Sequence, residues 1–224
     1  KNLLQSIDEY FTNIKICDPA IGSGAFPVQL MNEIVVIRRN ILDILNVEYS
    51  NYSLKRNFIE NSIYGVDIDN GAVEITKLRL WLSLVVDEDN INDIHPLPNL
   101  SYKILQGNSL IQKYKDYNFD TDKNKDQLFE DPNEIKFKTE LIDIQKKYFN
   151  LTSRKKKIET KEILNKKIES LIEKKSTVAD RKNIFFMKDE RNFFLWKIFF
   201  LDVFEKGGFD IIASNPPYVF VKSS

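Results

Sequence analysis

Apolar residues recur at helical spacing from the start of the chain. Leu3, Leu4, Ile7, Tyr10 and Phe11 predict a short amphipathic helix over 3–11. Residues 14–17 read as a short strand, and Asp18-Pro19-Ala20-Ile21-Gly22-Ser23-Gly24 as a tight turn punctuated by Pro and Gly. A long helix is expected over 25–45, followed by a polar stretch, 47–62, that reads as loop or partial helix. Residues 63–66 form a second expected strand, ending at Asp67-Ile68-Asp69. A helix over 70–86 follows, with Ala72, Ile75, Leu78, Leu82 and Val85 on one face. After a loop with two prolines, residues 102–105 read as a third strand, ending at Gln106-Gly107-Asn108-Ser109-Leu110.

The pattern then changes. Residues 113–133 are polar and charged and read as a flexible connector. From 134 to 175 apolar residues alternate at four and three (Phe137, Leu141, Ile144, Tyr148, Leu151, then Ile158, Leu164, Ile168, Leu171), a heptad seam interrupted near Thr152-Ser153. This predicts a two-helix hairpin, with Thr152 or Ser153 capping its second helix and the mixed Lys and Glu as a solvated face. Residues 191–204 read as one more helix, stopped by Gly207-Gly208, and the apolar run 209–214 as a buried strand. Strands alternating with helices give an α/β, doubly wound sheet with a helical hairpin inserted between the third and fourth strands. The expected division is 1–112, 113–190 and 191–224.

Composition narrows the picture. A chain of 224 residues with 42% apolar content can bury one sizeable core. Lys+Arg and Asp+Glu both number 33, and a net charge of zero counts against self-sufficient DNA binding without excluding a local basic groove. The single Cys17 excludes an internal disulfide and fits a reducing, cytoplasmic setting. No apolar run is long enough to span a bilayer, so no membrane partner is expected. The single His95 reads as a loop residue, and no His/Cys cluster offers a metal site. The chain begins Lys1-Asn2-Leu3-Leu4, without an initiator Met or a signal-peptide pattern, and is expected to be a piece of a longer one.

The candidate chemistry sits where strands end. The Asp18–Gly24 turn leads into a helix N-terminus, whose unpaired N–H groups suit a carboxylate, while Asp18 can attract an ammonium group. Together they suit the amino-acid end of a cofactor, although the segment also reads as a plain β–α turn. Asp67 stands where an acid accepts bonds from ribose hydroxyls, with Ile68 placed to pack on an adenine ring. Asp67 and Asp69 can equally be caps and turn formers. Asn108 can pair with adenine N6 or N1, or simply make a turn with Gly107. The fourth strand ends in Asn215-Pro216-Pro217-Tyr218. Here an amide oxygen and a carbonyl left free by the prolines can accept both N–H bonds of an exocyclic amine, and the Tyr ring offers a stacking face. The combination fits a nucleoside cofactor across three strands and a base held by the fourth.

These segments, with Asp18 to Phe26, Ile63 to Asp69, Gly107 to Leu110 and Asn215 to Tyr218, resemble the S-adenosylmethionine-dependent adenine-N6 DNA methyltransferases. The helical insertion before Gly207-Gly208-Phe209-Asp210 resembles the Eco57I-like type IIG restriction-modification group and related phage-defence methylases. The resemblance implies a truncated Rossmann-like sheet of the class I methyltransferase type. It implies that Asp18, Pro19, Ala20 and Ile21 line the methionine moiety, that Gly22 and Gly24 give close backbone approach, and that Asp67 holds the ribose. Ile68 and Asn108 would meet the cofactor adenine. Asn215 and the Pro216 carbonyl would bind the target amine, with Pro217 and Tyr218 completing the catalytic motif. Ile21 and Asn108 stand where the family often has Cys and Asp. Implied partners are double-stranded DNA with a flipped adenine, bound through parts outside this chain, and a restriction endonuclease domain or subunit. Cytosine N4, RNA adenine and a protein amide are alternative amino targets, and a non-catalytic cofactor-binding piece is a reading of another class.

Overall fold

The computed structural model describes residues 2–87, 100–111, 113–114, 117–118, 132–149, 151, 154–175 and 193–215. The chain divides into two compact units, residues 1–109 with 206–224, and residues 110–205. In the first unit α1 (Asn2–Asn13) leads to β1 (Ile16–Asp18), α2 (Ala25–Leu45), α3 (Asn51–Asn61), β2 (Ile63–Asp67), α4 (Asn70–Val85) and β3 (Ile104–Gln106). In the second, β4 (Lys113–Tyr114) and β5 (Tyr117–Asn118) form a small antiparallel ribbon. After them come α5 (Pro132–Phe149), α6 (Arg154–Lys175), α7 (Trp196–Phe199) and α8 (Leu201–Phe204). The last described strand, β6 (Ile211–Ile212), belongs to the first unit.

The four strands of the first unit form a parallel sheet in the order β3-β2-β1-β6. Ile16 is level with Ile63 and with Ile211, and Gly65 with Ile104. Alternation then puts Ile16, Ile63 and Ile104 on one face. All three are buried, and they join Met31, Ile34, Leu54, Phe58, Val73, Leu80 and Leu84 from α2, α3 and α4 in a single core. Arg38 ties three helices together beside it. Its Nε meets Asp8 Oδ1 at 2.7 Å and its Nη2 Asp8 Oδ2 at 3.2 Å, while Nη1 donates to Asn57 Oδ1 at 3.1 Å.

The segment 47–62 takes the partly helical of its two expected forms: Ser50 caps α3 with a reciprocal Ser50–Ser53 capping box, so local polar bonding replaces the missing amphipathic pattern. Other expectations give way. The third strand starts at Ile104, because the Leu100–Tyr102 stretch winds into a 3-10 turn closed by Lys103 N donating to the Leu100 carbonyl at 3.1 Å. In α4 the buried side chains are Val73, Thr76, Leu80 and Leu84, whereas Ile75, Leu78 and Leu82 lie exposed. The expected helix over 191–204 breaks at Phe200 (φ −113°, ψ 41°), leaving α7 and α8. The last strand is short and not buried: Ile211 and Ile212 are 40% and 67% exposed, and among the described residues β6 pairs with β1 alone.

In the second unit α5 and α6 pack on each other, with Leu141, Tyr148, Leu164 and Ile168 buried, while Ile158 points outward and Gln145 and Thr160 are buried instead. Lys167 pairs with Glu140 and sits 5.4 Å from the centre of the Phe137 ring. Phe194 gathers Trp196, Phe199 and Phe200 around it at centroid distances of 4.8, 5.1 and 5.4 Å. His95, most of the connector 113–133, Thr152, Ser153, Pro216, Pro217 and Tyr218 lie outside the described residues. Among the described residues no helix is long and apolar enough to cross a membrane.

Candidate active site

All four strands of the first unit run the same way, so their carboxyl ends share one edge. The chain steps outward from β1 to β2 to β3 and then returns to the other side of β1, making the β1–β6 boundary a topological switch point. In open α/β sheets the crevice outside such a point is where ligands bind.

The glycine turn is built against this edge. Ile21 N donates to the Val66 carbonyl at 3.0 Å and Gly22 N to Asp67 Oδ2 at 2.7 Å, which pins the loop to the end of β2. Gly22 and Gly24 take positive φ, +54° and +76°. Gly24 is the N-cap residue of α2. A Cβ there would lie 2.8 Å from both Cγ2 and Oγ1 of Thr76. Helix α4 braces the loop from behind: Thr76 Oγ1 donates to the Gly22 carbonyl at 2.8 Å, and Arg79 Nη1 to Ser23 Oγ at 3.2 Å. Gly65 has its own reason, because a Cβ at that point of β2 would meet Ile21 Cδ1 at 2.1 Å.

Asp18 ends β1 and is only 3% exposed. Its Oδ1 accepts from Ala20 N at 3.0 Å. Burial pushes its carboxyl above the ordinary value, hydrogen bonds from the Ser214 hydroxyl and the Ala20 amide pull it back, and the nearby charge of Asp67 adds a smaller push upward. Asp67 is bonded twice, to Gly22 N and, through Oδ1, to Asp69 N at 3.0 Å. Part of its work is therefore the turn-forming role open to any Asp in such a place. Asp69 caps α4 by accepting from Gly71 N at 2.8 Å.

The third and fourth tips join the same edge. Gly107 N donates to the Asp67 carbonyl at 2.8 Å and Gln106 Nε2 to the Ile68 carbonyl at 3.2 Å, which carries the half-buried Asn108 to the end of β2. Ile68 is 62% exposed on the rim. On the other side of β1, Ala213 N donates to the Cys17 carbonyl at 3.0 Å and Lys15 N to Asp210 Oδ2 at 2.7 Å. That register delivers Ser214 to Asp18 and leaves the exposed Asn215 next along the chain. The structure thus brings Asp18, Ala20, Ile21, Gly22, Gly24 and Asp67 into one bonded cluster, with Ile68 and Asn108 on one flank and Asn215 following on the other. Pro19 is half-buried within the turn.

Four contributors escape a sequence reading. Thr76, Arg79 and Gly65 act through contacts 44 or more positions away from the loop residues they meet, and only coordinates join them. Ser214 could have been found, since a hydroxyl directly before Asn215 at a strand's end falls beside the tip of any neighbouring parallel strand.

Residues 61–224 match the family described as Eco57I restriction-modification methylase. A putative type II restriction enzyme and methyltransferase of Methanocaldococcus jannaschii is 40% identical over 115 residues, half of this chain and 10% of that protein. DNA methyltransferase A of Bacillus subtilis is 30% identical over 96 residues, 42% of this chain and again 10% of that protein. The chain therefore spans about a tenth of the length of these curated relatives. With well over half of its residues matched, the chain belongs to the Eco57I family of restriction-modification methylases.

Proposed function

We propose that this chain is the cofactor-binding and catalytic part of an S-adenosylmethionine-dependent DNA methyltransferase acting on adenine N6 within a restriction-modification system. In this reading it is a Rossmann-like sheet of the class I methyltransferase type, with α5 and α6 as the insertion between its third and fourth strands. Family membership supports the methylase part. The observation that carries the rest is the clustering of a buried Asp18, a left-handed glycine loop and Asp67 at one strand edge, with Ser214 joining Asp18 immediately before Asn215.

The residues fit the cofactor. A buried carboxylate that burial alone disfavours gains from a cationic partner, and the ammonium of the methionine moiety is one. Gly22 and Gly24 keep Cβ atoms out of the loop where a ligand approaches. Asp67 would accept bonds from the ribose hydroxyls, and Ile68, exposed on the rim, would offer apolar surface to an adenine whose edge Asn108 would meet. When bound, S-adenosylmethionine supplies a sulfonium methyl group for transfer to a nucleophile.

The chain's own task is to prepare that nucleophile. An exocyclic amine is a poor one because its lone pair is delocalised into the ring. The side-chain oxygen of Asn215 and the Pro216 carbonyl accept its two N–H bonds, draw the nitrogen toward tetrahedral geometry and stabilise positive charge developing on it. Pro217 holds the backbone rigid, and Tyr218 stacks on a base that has left the duplex. DNA and an associated endonuclease are the proposed partners, and the cytoplasm the proposed place of work.

The test is Asn215→Ala in the whole parent protein. Methyl transfer to DNA is expected to be lost while S-adenosylmethionine affinity, read by calorimetry, stays within about threefold. Surviving turnover removes Asn215 from the mechanism. Nucleoside analysis of the methylated DNA checks the target, and N4-methylcytosine in place of N6-methyladenine overturns the adenine assignment.

A further inference from the structure

The α5–α6 hairpin carries a charge imbalance that the sheet's chemistry does not use. Between residues 144 and 158 stand Lys146, Lys147, Arg154, Lys155, Lys156 and Lys157, with no Asp or Glu, in a chain of zero net charge. The helix bounds give this run its meaning. Helix α5 ends at Phe149 and α6 begins at Arg154, so the cations fill the last turn of one helix and the first turn of the next, at the closed end of the hairpin. Lys147, Lys155 and Lys156 are exposed.

For α5 the arrangement is favourable, because basic residues near a C-terminus meet the negative end of the helix dipole. For α6 it is the reverse. Four successive cations occupy the first turn, where unpaired N–H groups already make the positive end, and that turn holds no acid. Farther along the same helices charges alternate, and Lys167 finds Glu140. Glu159 stands one turn on from Lys155 and Lys156 and answers them only in part, so four like charges on a helix N-terminus still cost more than they return. A local rule broken without a folding gain points to a demand from outside the fold.

We propose that the closed end of the α5–α6 hairpin grips the phosphate backbone of duplex DNA, through charge and without reading bases. A duplex presents one negative charge per about 1.7 Å of its axis, a denser and more regular array than an acidic protein surface offers. Flexible lysine stems suit such a target, since each ammonium can follow a phosphate without fixed geometry. The choice of DNA over RNA rests on the methyltransferase reading above; the polyanion-binding surface itself does not.

The experiment uses the whole chain and a fluorescently labelled duplex DNA of arbitrary sequence, with anisotropy followed over a salt series. Lys147→Gln/Lys155→Gln/Lys156→Gln is expected to weaken binding at least tenfold and to flatten the plot of log affinity against log salt by about 2 to 3. Lys136→Gln/Lys166→Gln/Lys206→Gln removes the same charge from exposed positions elsewhere and is expected to keep most of the parent's affinity and slope. The tip variant should melt close to the parent, because the small loss of Lys147 at the end of α5 is offset by relief in the first turn of α6; this separates lost contact from lost fold. An unchanged slope in the tip variant, an equal loss in the control, or preference for duplex RNA each overturns the proposal. Calorimetry with S-adenosylmethionine keeps the two readings apart. Tip-dependent DNA binding in a chain that takes no cofactor removes the methyltransferase reading alone, and cofactor binding with tip-independent DNA affinity removes only this one.

Discussion

Gly24→Ala offers a quantitative test of how the glycine loop is held. Gly22 and Gly24 both take left-handed backbone, at φ +54° and +76°, so alanine at either costs about 1–2 kcal/mol in conformation. Restricting the unfolded chain returns about 0.4–1 kcal/mol. A Cβ at Gly22 meets nothing nearer than the Ala20 carbonyl oxygen at 4.0 Å, so Gly22→Ala is expected to cost about 1.5 kcal/mol or less. At Gly24 the same atom falls 2.8 Å from Cγ2 and Oγ1 of Thr76 and 3.1 Å from its Cα. Thr76 is fully buried and β-branched, and its hydroxyl donates to the Gly22 carbonyl, so it cannot swing aside without losing that bond. Overpacking of this kind adds about 1–3 kcal/mol, for a total of about 1–4.5 kcal/mol. Urea unfolding followed by circular dichroism reads the difference, with an unchanged m-value certifying that only stability moved. Thr76→Ala removes Cγ2 and Oγ1, so the Gly24→Ala/Thr76→Ala double variant should cost less than the sum of its parts by about 1–2 kcal/mol. Strict additivity, or a Gly24→Ala cost within about 0.5 kcal/mol of Gly22→Ala, would refute the clash.

Three further substitutions probe other contacts. Burial raises the Asp18 carboxyl above its ordinary value, so its contribution to stability is complete below the usual carboxylate range and is lost as pH rises through the raised value. Asp18→Asn should therefore gain in urea midpoint relative to the parent as pH rises out of the usual carboxylate range, while binding S-adenosylmethionine at least tenfold more weakly; a pH-independent difference contradicts this. Asp67→Asn leaves one acceptor oxygen for the two amides of Gly22 and Asp69, and thermal melts should record a loss of about 1.5–3 kcal/mol. Asp8→Asn breaks the two-pronged pair with Arg38, a residue only 7% exposed, and should cost about 2–3 kcal/mol in urea melts, because the guanidinium stays buried without its counter-charge.

The sequence made some elements legible because local rules decided them. The helix over 25–45 has a glycine turn before it and Asn46 in a left-handed C-cap after it, and its bounds are read without tertiary knowledge. Helix α4 was not legible in the same way. Val73, Ile75, Leu78, Leu80, Leu82 and Leu84 leave scarcely a polar face, so periodicity cannot choose which side meets the sheet. The choice falls on the side carrying Thr76, a polar residue buried because its hydroxyl has a partner 54 positions away. The break at Phe200 has no Gly or Pro to announce it; the aromatic cluster around Phe194 belongs to packing instead. Asp18 and Asp67 are legible as candidates because each ends a strand, where position in the sequence is position on the edge, and Gly22 and Gly24 because they stand in the turn that follows one.

The double use of Asp67 bears on how the site can be both formed and receptive. A carboxylate offers about four lone-pair positions. Two are engaged, one by Gly22 N and one by Asp69 N, and both donors are backbone groups that fix the loop and the entry to α4. Neither bond uses up the carboxylate, so the residue that organises the edge keeps acceptor capacity for a diol. In the proposed cofactor-binding reading, loop geometry and ribose recognition share one side chain. A neutral substitute would disturb the glycine turn and the cofactor together, and a defect in one could not be read without the other. Thr76 escapes that entanglement, because it grips the Gly22 carbonyl from the helix side. It therefore offers the cleaner handle on how far a preformed loop, as distinct from the carboxylate, contributes to holding the cofactor.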